Sequence, residues 1–556
     1  MMQLRCIAAL FAVVIVAPSL ALAPSLAFAQ REPPPMSDSR LLRRVHLTLL
    51  GRAPTVEEYE AFLALPEGDR RSAIADFATA AMADPAFGTQ VRLWAHDYLG
   101  VPGYFGSRNI HTYQFDGALS MVVGPCGDGT LHAGRLGLLN DSGSAPVYGQ
   151  DVAICNDPNA PTAEIEPWWA PGTTVPTIGD VATENAVSVN GEDCAQNRAT
   201  FRGMEGCGCG PNLIYCAQRP IAEEGDYYIA NSMRRQVHEE PSRLFEFIVT
   251  ANRPFSDLIA GDYTVATRTL RMAYMRQARM TPETASMDQT DWWRAYGTNP
   301  DEWREIKISE LHPLLLDDRN YAFDPRSESG RPIGVPSAGV LTTIVANQAW
   351  PRERVRAAAW IKSLTCREFT PPASDVAFPE YERDPGTEGA CAHCHQTIDP
   401  AAMYFKRFFD AGVFLAGVTD TWSLNGQVSG ATFRLNGHAR GAMVANTLMT
   451  PVTEEQLQAQ SDVRFVDFMP PGTTLFGTAG SGTIGPLGFA EVLIASGEFD
   501  RCAVRRAYER FGGRDLLPGR DDVLLDQLHR SFVENDRSMQ RLIQEIVAAD
   551  EFSLGI

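Results

Sequence analysis

Hydrophobic residues recur at helical spacing towards both ends of the chain and lose that spacing twice in between. Thr55 and Glu58 form a capping box behind Pro54, and Tyr59, Phe62 and Leu63 predict the buried stripe of the helix it opens. Ile74, Phe77, Ala78, Ala81 and Met82 predict a second amphipathic helix. Asp84-Pro85 stops it, because a residue before proline avoids the helical region. From about 103 to 220 Gly, Pro, Asn and Cys dominate and no helical period persists, which predicts loops and short strands. Helical spacing returns at Leu244, Phe247, Ile248 and Ala251, and again from Val355 to Leu364. Pro371-Pro372 predicts an extended segment leading towards Cys391. After a second irregular stretch from Val418 to Gly485, Leu525, Leu528 and Phe532 line one helix, and Leu542, Ile543, Ile546 and Val547 line the last.

The two helical ends echo each other. Arg43-Arg44 precedes Gly51-Arg52 with the spacing by which Arg505-Arg506 precedes Gly513-Arg514, and acidic-aromatic tails follow at Asp84 to Phe87 and Asp550 to Phe552. The echo fits one helical unit used twice, and fits a chance likeness between helices equally well.

Residues 1–29 read as a secretory signal: Arg5 is the positive start, Ile7 to Leu26 is apolar, and Ala27-Phe28-Ala29 is the cleavage site. Pro18 and Pro24 interrupt the run, which argues against a membrane anchor, and no later segment is apolar for long enough to span a bilayer. The mature chain is expected to be exported, periplasmic and free of the membrane. A net charge of −20 argues against nucleic acid as a partner and would suit a basic partner protein, although solubility is its ordinary meaning. Eleven cysteines suit an oxidising compartment.

The motif with most chemistry is Cys391-Ala392-His393-Cys394-His395. C-x-x-C-H is the pattern for covalent c-type haem attachment: one helical turn sets two thiols against the two vinyl groups, and the next imidazole meets the iron. A disulfide, a thiol redox pair or half a zinc site are the plainer readings. Zinc lacks its other half, since no second C-x-x-C or H-x-x-x-H occurs, and a redox pair lacks a βαβ context. Cys391 and Cys394 therefore predict a single covalent haem c with His395 as proximal ligand. The other ring nitrogen of His395 is expected on the backbone at Asp399-Pro400, with Pro400 alternatively a helix stop, and His393 is a solvent-facing filler. Eight cysteines then remain after Cys6 leaves with the signal. Cys126, Cys155, Cys194, Cys207, Cys209 and Cys216 cluster, while Cys366 and Cys502 stand apart. Three local disulfides and a Cys366–Cys502 staple are the simplest pairing, and spacing alone does not fix it.

The sixth iron position separates electron carrier from enzyme. Met469, before Pro470-Pro471-Gly472, is the first candidate, with His438, Met443 and Met449 as alternatives, and core filling is the ordinary role of a methionine. Trp168-Trp169 offers an aromatic surface for a substrate or plain packing.

The expected fold is mainly α, multi-domain, with a cytochrome-c-like haem segment and a Cys-rich irregular insertion. Its boundaries are a signal peptide (1–29), an N-terminal helical domain (30–102), a Cys-rich disulfide-braced module (103–220) and a central helical domain (221–335). A haem-bearing segment (336–417), an irregular insertion (418–485) and a C-terminal helical domain (486–556) complete it.

LLRRVHLTLLGRAPTVEEYEAFL with ADPAFG, NRPFSDLIAGDYTVA, the run from GVLTTIVANQAWPRERVRAAAWIKSLTCREFTPP into CAHCHQTIDP, and GFAEVLIASGEFDRCAVRRAYERFGGRDL appear in that order. With these stretches, about half of the mature length, the chain resembles the planctomycete-type cytochrome c proteins, exported multi-domain proteins carrying one haem motif. The resemblance implies helical domains around one haem c and names no reaction. Beyond the motif the chain departs from the family's Gly, Glu and Phe-Asp with Ala402, Lys406 and Phe408-Phe409, Asp410 falling one place late. Electron transfer through the haem is the leading expectation. The alternatives are a haem enzyme with an open iron site, whose substrate the Cys-rich module holds, and a binding or scaffold protein.

Overall fold

Helices dominate, and the chain is mainly α. The computed structural model describes residues 35–101, 121–126, 128–135, 155–167, 170, 172–182, 211–213, 217–218, 228–267, 270–271, 302–307, 338–350, 353–369, 389–405, 422–424, 427–428, 450–451, 474–481, 483, 485–516 and 519–554.

Helix α1 (Asp38–Leu50) buries Leu41, Leu42, Val45, Leu49 and Leu50, and Gly51 ends it at φ 68°, a left-handed position open to a residue without Cβ. Helix α2 (Val56–Leu63) begins with the expected capping box: Glu58 N–H donates to Thr55 Oγ1 at 3.2 Å and Thr55 N–H donates to Glu58 Oε2 at 2.7 Å. Of its expected stripe only Phe62 is buried. Tyr59 packs in part and Leu63 is exposed, since two turns on the surface offer the core little more than one side chain. Helix α3 (Arg70–Ala81) buries Ile74, Ala78 and Ala81 as expected.

Asp84-Pro85 does more than stop that helix. Asp84 accepts from Ala86 N–H at 2.8 Å and starts α4 (Pro85–Leu99), where Pro85 lacks only an N–H that a first turn leaves unpaired. Residues 86–99, given no helix from the sequence, bury Phe87, Val91, Trp94, Ala95, Tyr98 and Leu99.

The Cys-rich stretch contains a five-stranded mixed sheet in the order β3-β4-β2-β1-β5. Its strands are β1 (Met121–Pro125), β2 (Leu131–Arg135), β3 (Thr162–Ile165), β4 (Val175–Ile178) and β5 (Ala217–Gln218). A disulfide joins Cys126 to Cys155. Cys194, Cys207, Cys209, Cys216 and Trp168-Trp169 lie outside the described residues.

Helix α5 (Tyr228–Thr250) buries the expected Leu244 and Ile248, on a face rotated towards Phe245 and Val249. Leu244, Phe245, Ile248 and Val249 are buried, Phe247 only in part, and Ala251 is exposed beyond its end. Trp94 and Tyr98 of α4 meet Phe245 at ring separations of 5.0 and 5.3 Å, Trp94 meets Phe511 at 5.2 Å, and Phe255 stacks on Phe499 at 5.6 Å. This aromatic cluster draws N-terminal, central and C-terminal segments into one core. The central stretch also pairs β6 (Tyr263–Ala266) with β7 (Arg304–Lys307).

Helix α6 (Glu353–Thr365) precedes helix α7 (Gly389–Met403), and α8 (Gly485–Ala495) opens the C-terminal unit. Val355, counted in the apolar run, is exposed. The expected staple is present: Cys366, just after α6, bonds to Cys502 in α9 (Glu498–Ala507). Cys366 holds φ 55°, a left-handed position disfavoured for a residue with a side chain, so the bond also pins the turn that ends α6.

The echo between the two ends extends to their wiring. Helix α9 runs through Tyr508–Gly512 to Gly513 at φ 71°, and α10 (Asp522–Glu534) and α11 (Met539–Ala548) come after it as α2 and α3 come after α1. Arg52 after the first left-handed glycine forks onto Glu58 with two 2.8 Å bonds, and Arg514 after the second forks onto Asp521 at 2.5 and 3.0 Å. Asp38 at the start of α1 holds Arg70 at 3.0 Å, and Asp500 at the start of α9 holds Arg537 at 2.8 Å. The units also cap each other. Arg44 donates to Gly512 O, and Arg506 donates to Asp97 O and Tyr98 O at 3.1 and 3.0 Å.

Candidate haem-attachment site

Helix α7 carries the C-x-x-C-H motif. Helical spacing puts Cys391, Cys394 and His395 on one face, because positions three and four apart are neighbours along a helix surface. The Cys394 thiol is partly exposed and in no disulfide, whereas Cys126, Cys155, Cys366 and Cys502 are bonded in pairs. The side chains of Cys391 and His393 lie outside the described residues.

His395 has a defined partner, and it is not the backbone. Its Nδ1 lies 2.9 Å from Oδ1 of Asp399, one turn along the same helix. Arg354 of α6 holds that carboxylate through Nε to Oδ1 at 2.7 Å and Nη2 to Oδ2 at 2.8 Å. The carboxylate oxygen accepts, so of the two neutral tautomers it selects the one with the proton on Nδ1. Nε2 then keeps its lone pair. An imidazole that donates its far N–H to a carboxylate is the usual arrangement at a metal-ligating histidine. The three side chains are each 26% exposed, open enough to take a group against them and closed enough to be fixed.

Pro400 sits inside α7 and does not end it. Its ring removes one helical N–H and leaves the helix to be held by its surroundings. Ile398, Ala401 and Ala402 are buried, and Tyr404 and Phe405 pack on Phe489 at ring separations of 6.0 and 5.2 Å. Gly488 permits this approach, since a Cβ there would stand 1.9 Å from Thr483 O and 2.9 Å from the Tyr404 ring. Burial, with Glu491 nearby adding to it, pushes the Tyr404 phenol up to about 12, which keeps it protonated. On the other side the buried Arg356 donates to Trp350 O at 3.0 Å and lies 5.9 Å from the Phe405 ring centre.

A second cysteine–histidine cluster lies in the sheet. Sγ of Cys126, Sγ of Cys155 and a ring nitrogen of His132 lie within 4.8 Å of one another. Its sulfurs are bonded to each other, so they are not the thiolates a metal would need.

The sequence pointed to Cys391, Cys394 and His395 and missed Arg354 and the Asp399 side chain. Asp399 had a signal in its i, i+4 spacing from His395. Arg354, forty-five residues upstream of Asp399, had none. Met469, His438, Met443, Met449 and the signal 1–29 lie outside the described residues. Among the described residues no helix is long and apolar enough to cross a membrane.

No curated protein and no solved structure matches the chain. The family described as PSCyt2, Protein of unknown function (DUF1549), matches residues 25–115, which take in α1 to α4 and the first of the two echoed helical units.

Proposed function

We propose that the chain is an exported monohaem c-type cytochrome that passes single electrons to a redox partner protein. The observation that carries this reading is His395, with Nδ1 fixed by Asp399 and Nε2 left to ligate, one residue after an unpaired cysteine on a single helix. The donor set fits the group. Cys391 and Cys394 would tether haem through thioether bonds, and His395 would be its proximal ligand. Bound haem supplies a one-electron couple. Asp399 and Arg354 orient the ligand, and the packing of Tyr404 and Phe405 on Phe489 keeps the helix in place.

Further support comes from the DUF1549 match, the disulfides Cys126–Cys155 and Cys366–Cys502, and the signal-like residues 1–29, which together suit export. Met469 is the proposed sixth ligand, and the charge of −20 suits a basic partner. The test is an absorption spectrum of protein matured with the c-type attachment machinery. A low-spin reduced spectrum unchanged by carbon monoxide is expected. A spectrum that shifts with carbon monoxide would replace the carrier with a haem enzyme, and the lack of a Soret band would leave a binding or scaffold protein.

A further inference from the structure

We propose that Asp399 and Arg354 set the reduction potential of the centre, Asp399 lowering it through His395 and Arg354 limiting how far it falls. This rests on the haem reading and goes beyond it by assigning two positioning residues and opposite signs to their effects. The Nδ1–H of His395 donates to an anionic oxygen, so the ring gains imidazolate character and becomes a stronger donor at Nε2. A stronger donor favours ferric over ferrous iron, and axial donation and neighbouring hydrogen bonds are among the chief controls on potential.

Arg354 acts on the same oxygen. Oδ1 of Asp399 receives both His395 Nδ1 at 2.9 Å and Arg354 Nε at 2.7 Å, and Oδ2 takes the second arm of the fork. The guanidinium shares that oxygen and draws its charge away from the imidazole. Arg354 stands on α6, whose end the Cys366–Cys502 bond ties to the C-terminal unit, so the clamp is anchored outside the haem helix. A backbone carbonyl in place of Asp399 would give neither the full charge nor a second residue to adjust it.

The experiment measures the ferric-to-ferrous ratio of haem-loaded, full-length mature protein at a fixed ambient potential, with covalent haem counted separately as pyridine haemochrome. Asp399→Asn keeps an oxygen for His395 Nδ1 and removes the charge, at the cost of the second arm of the Arg354 fork. It should lower the ratio by about tenfold, or about 59 mV for one electron. Arg354→Gln should raise the ratio, and Asp399→Glu should stay near the wild-type value. The double variant Asp399→Asn/Arg354→Gln should match Asp399→Asn alone, because Arg354 acts only through that carboxylate; a merely structural role predicts no such masking.

An unchanged ratio in Asp399→Asn with full haem content overturns the proposal. So does an Arg354→Gln shift that persists in the double variant. If Asp399→Asn fails to retain haem, Arg354→Gln alone decides, and the absence of a shift towards ferric iron overturns it. Wild-type protein without covalent haem would defeat the cytochrome reading itself, an outcome distinct from all of these.

Discussion

Two cysteines and a histidine are grouped twice in this molecule, by folding in the sheet and by sequence on α7, and their surroundings differ. In the sheet, Cys126 comes directly after β1, His132 lies on β2 and Cys155 comes from a separate segment between β2 and β3; the sulfurs are close enough to bond and have done so. On α7 the same residue types come from five consecutive positions, Cys394 is unpaired, and the histidine is held by Asp399 and Arg354. Residue identity alone does not make a brace. In the sheet the fold brings two sulfurs together, and on α7 the imidazole has a carboxylate at Nδ1.

That contrast can be broken most forcefully at the braces. The Cys366–Cys502 bond closes a span of 136 residues, so Cys366→Ser/Cys502→Ser should cost about 5 kcal/mol in the chain-entropy account. The Cys126–Cys155 bond closes 29 residues, and removing it should cost about 3.5 kcal/mol, because the dependence on span is only logarithmic. Denaturant unfolding without reductant measures both. Covalent haem should survive the loss of Cys126–Cys155, and haem lost together with that bond would make the two clusters one functional unit.

A third histidine sharpens the comparison with a smaller effect. His46 also faces a carboxylate, Nε2 lying 3.4 Å from Glu58, but it is buried, stacks on Phe77 and has Nδ1 against Leu42 O. Burial lowers its pKa and keeps it neutral, so its contact with Glu58 serves the fold. The Arg52 fork chiefly holds the Glu58 carboxyl down at about 2, against burial that opposes it. A lowered carboxylate pKa contributes stability above its ordinary value of 4.5, and the contribution fades as pH falls from there towards 2. Arg52 is 43% and Glu58 34% exposed, so Glu58→Gln should cost no more than about 1 kcal/mol at pH 7. Thermal melts from pH 7 to pH 2 should show wild type and variant converging. A difference that persists at pH 2 would mean that the amide disturbs the cap itself and not the charge.

Much of the molecule was legible where chemistry is local. The Thr55 capping box, the α11 stripe and the C-x-x-C-H turn each lie within one or two helical turns, so spacing alone reveals them. Helix α4 escaped because Asp84-Pro85 serves as both stop and start, and a proline read as a breaker hides the helix it begins. On α5, Leu244 and Ile248 were legible, and Phe245 was not, since the rings it packs against come from distant segments. At the site, the partner of His395 was placed on the right residue and the wrong atoms. Arg354 and His395 share Oδ1 of Asp399, and a salt bridge between two helices leaves no local trace in the sequence.

The most direct test of the account is the mass of the peptide spanning Cys391 to His395, taken from matured protein after acid-acetone extraction and full reduction of disulfides. The account predicts one haem bound to that peptide through both thiols, and none in Cys391→Ala/Cys394→Ala. Haem that extracts freely, or a wild-type peptide whose mass is that of two free thiols without haem, would contradict it.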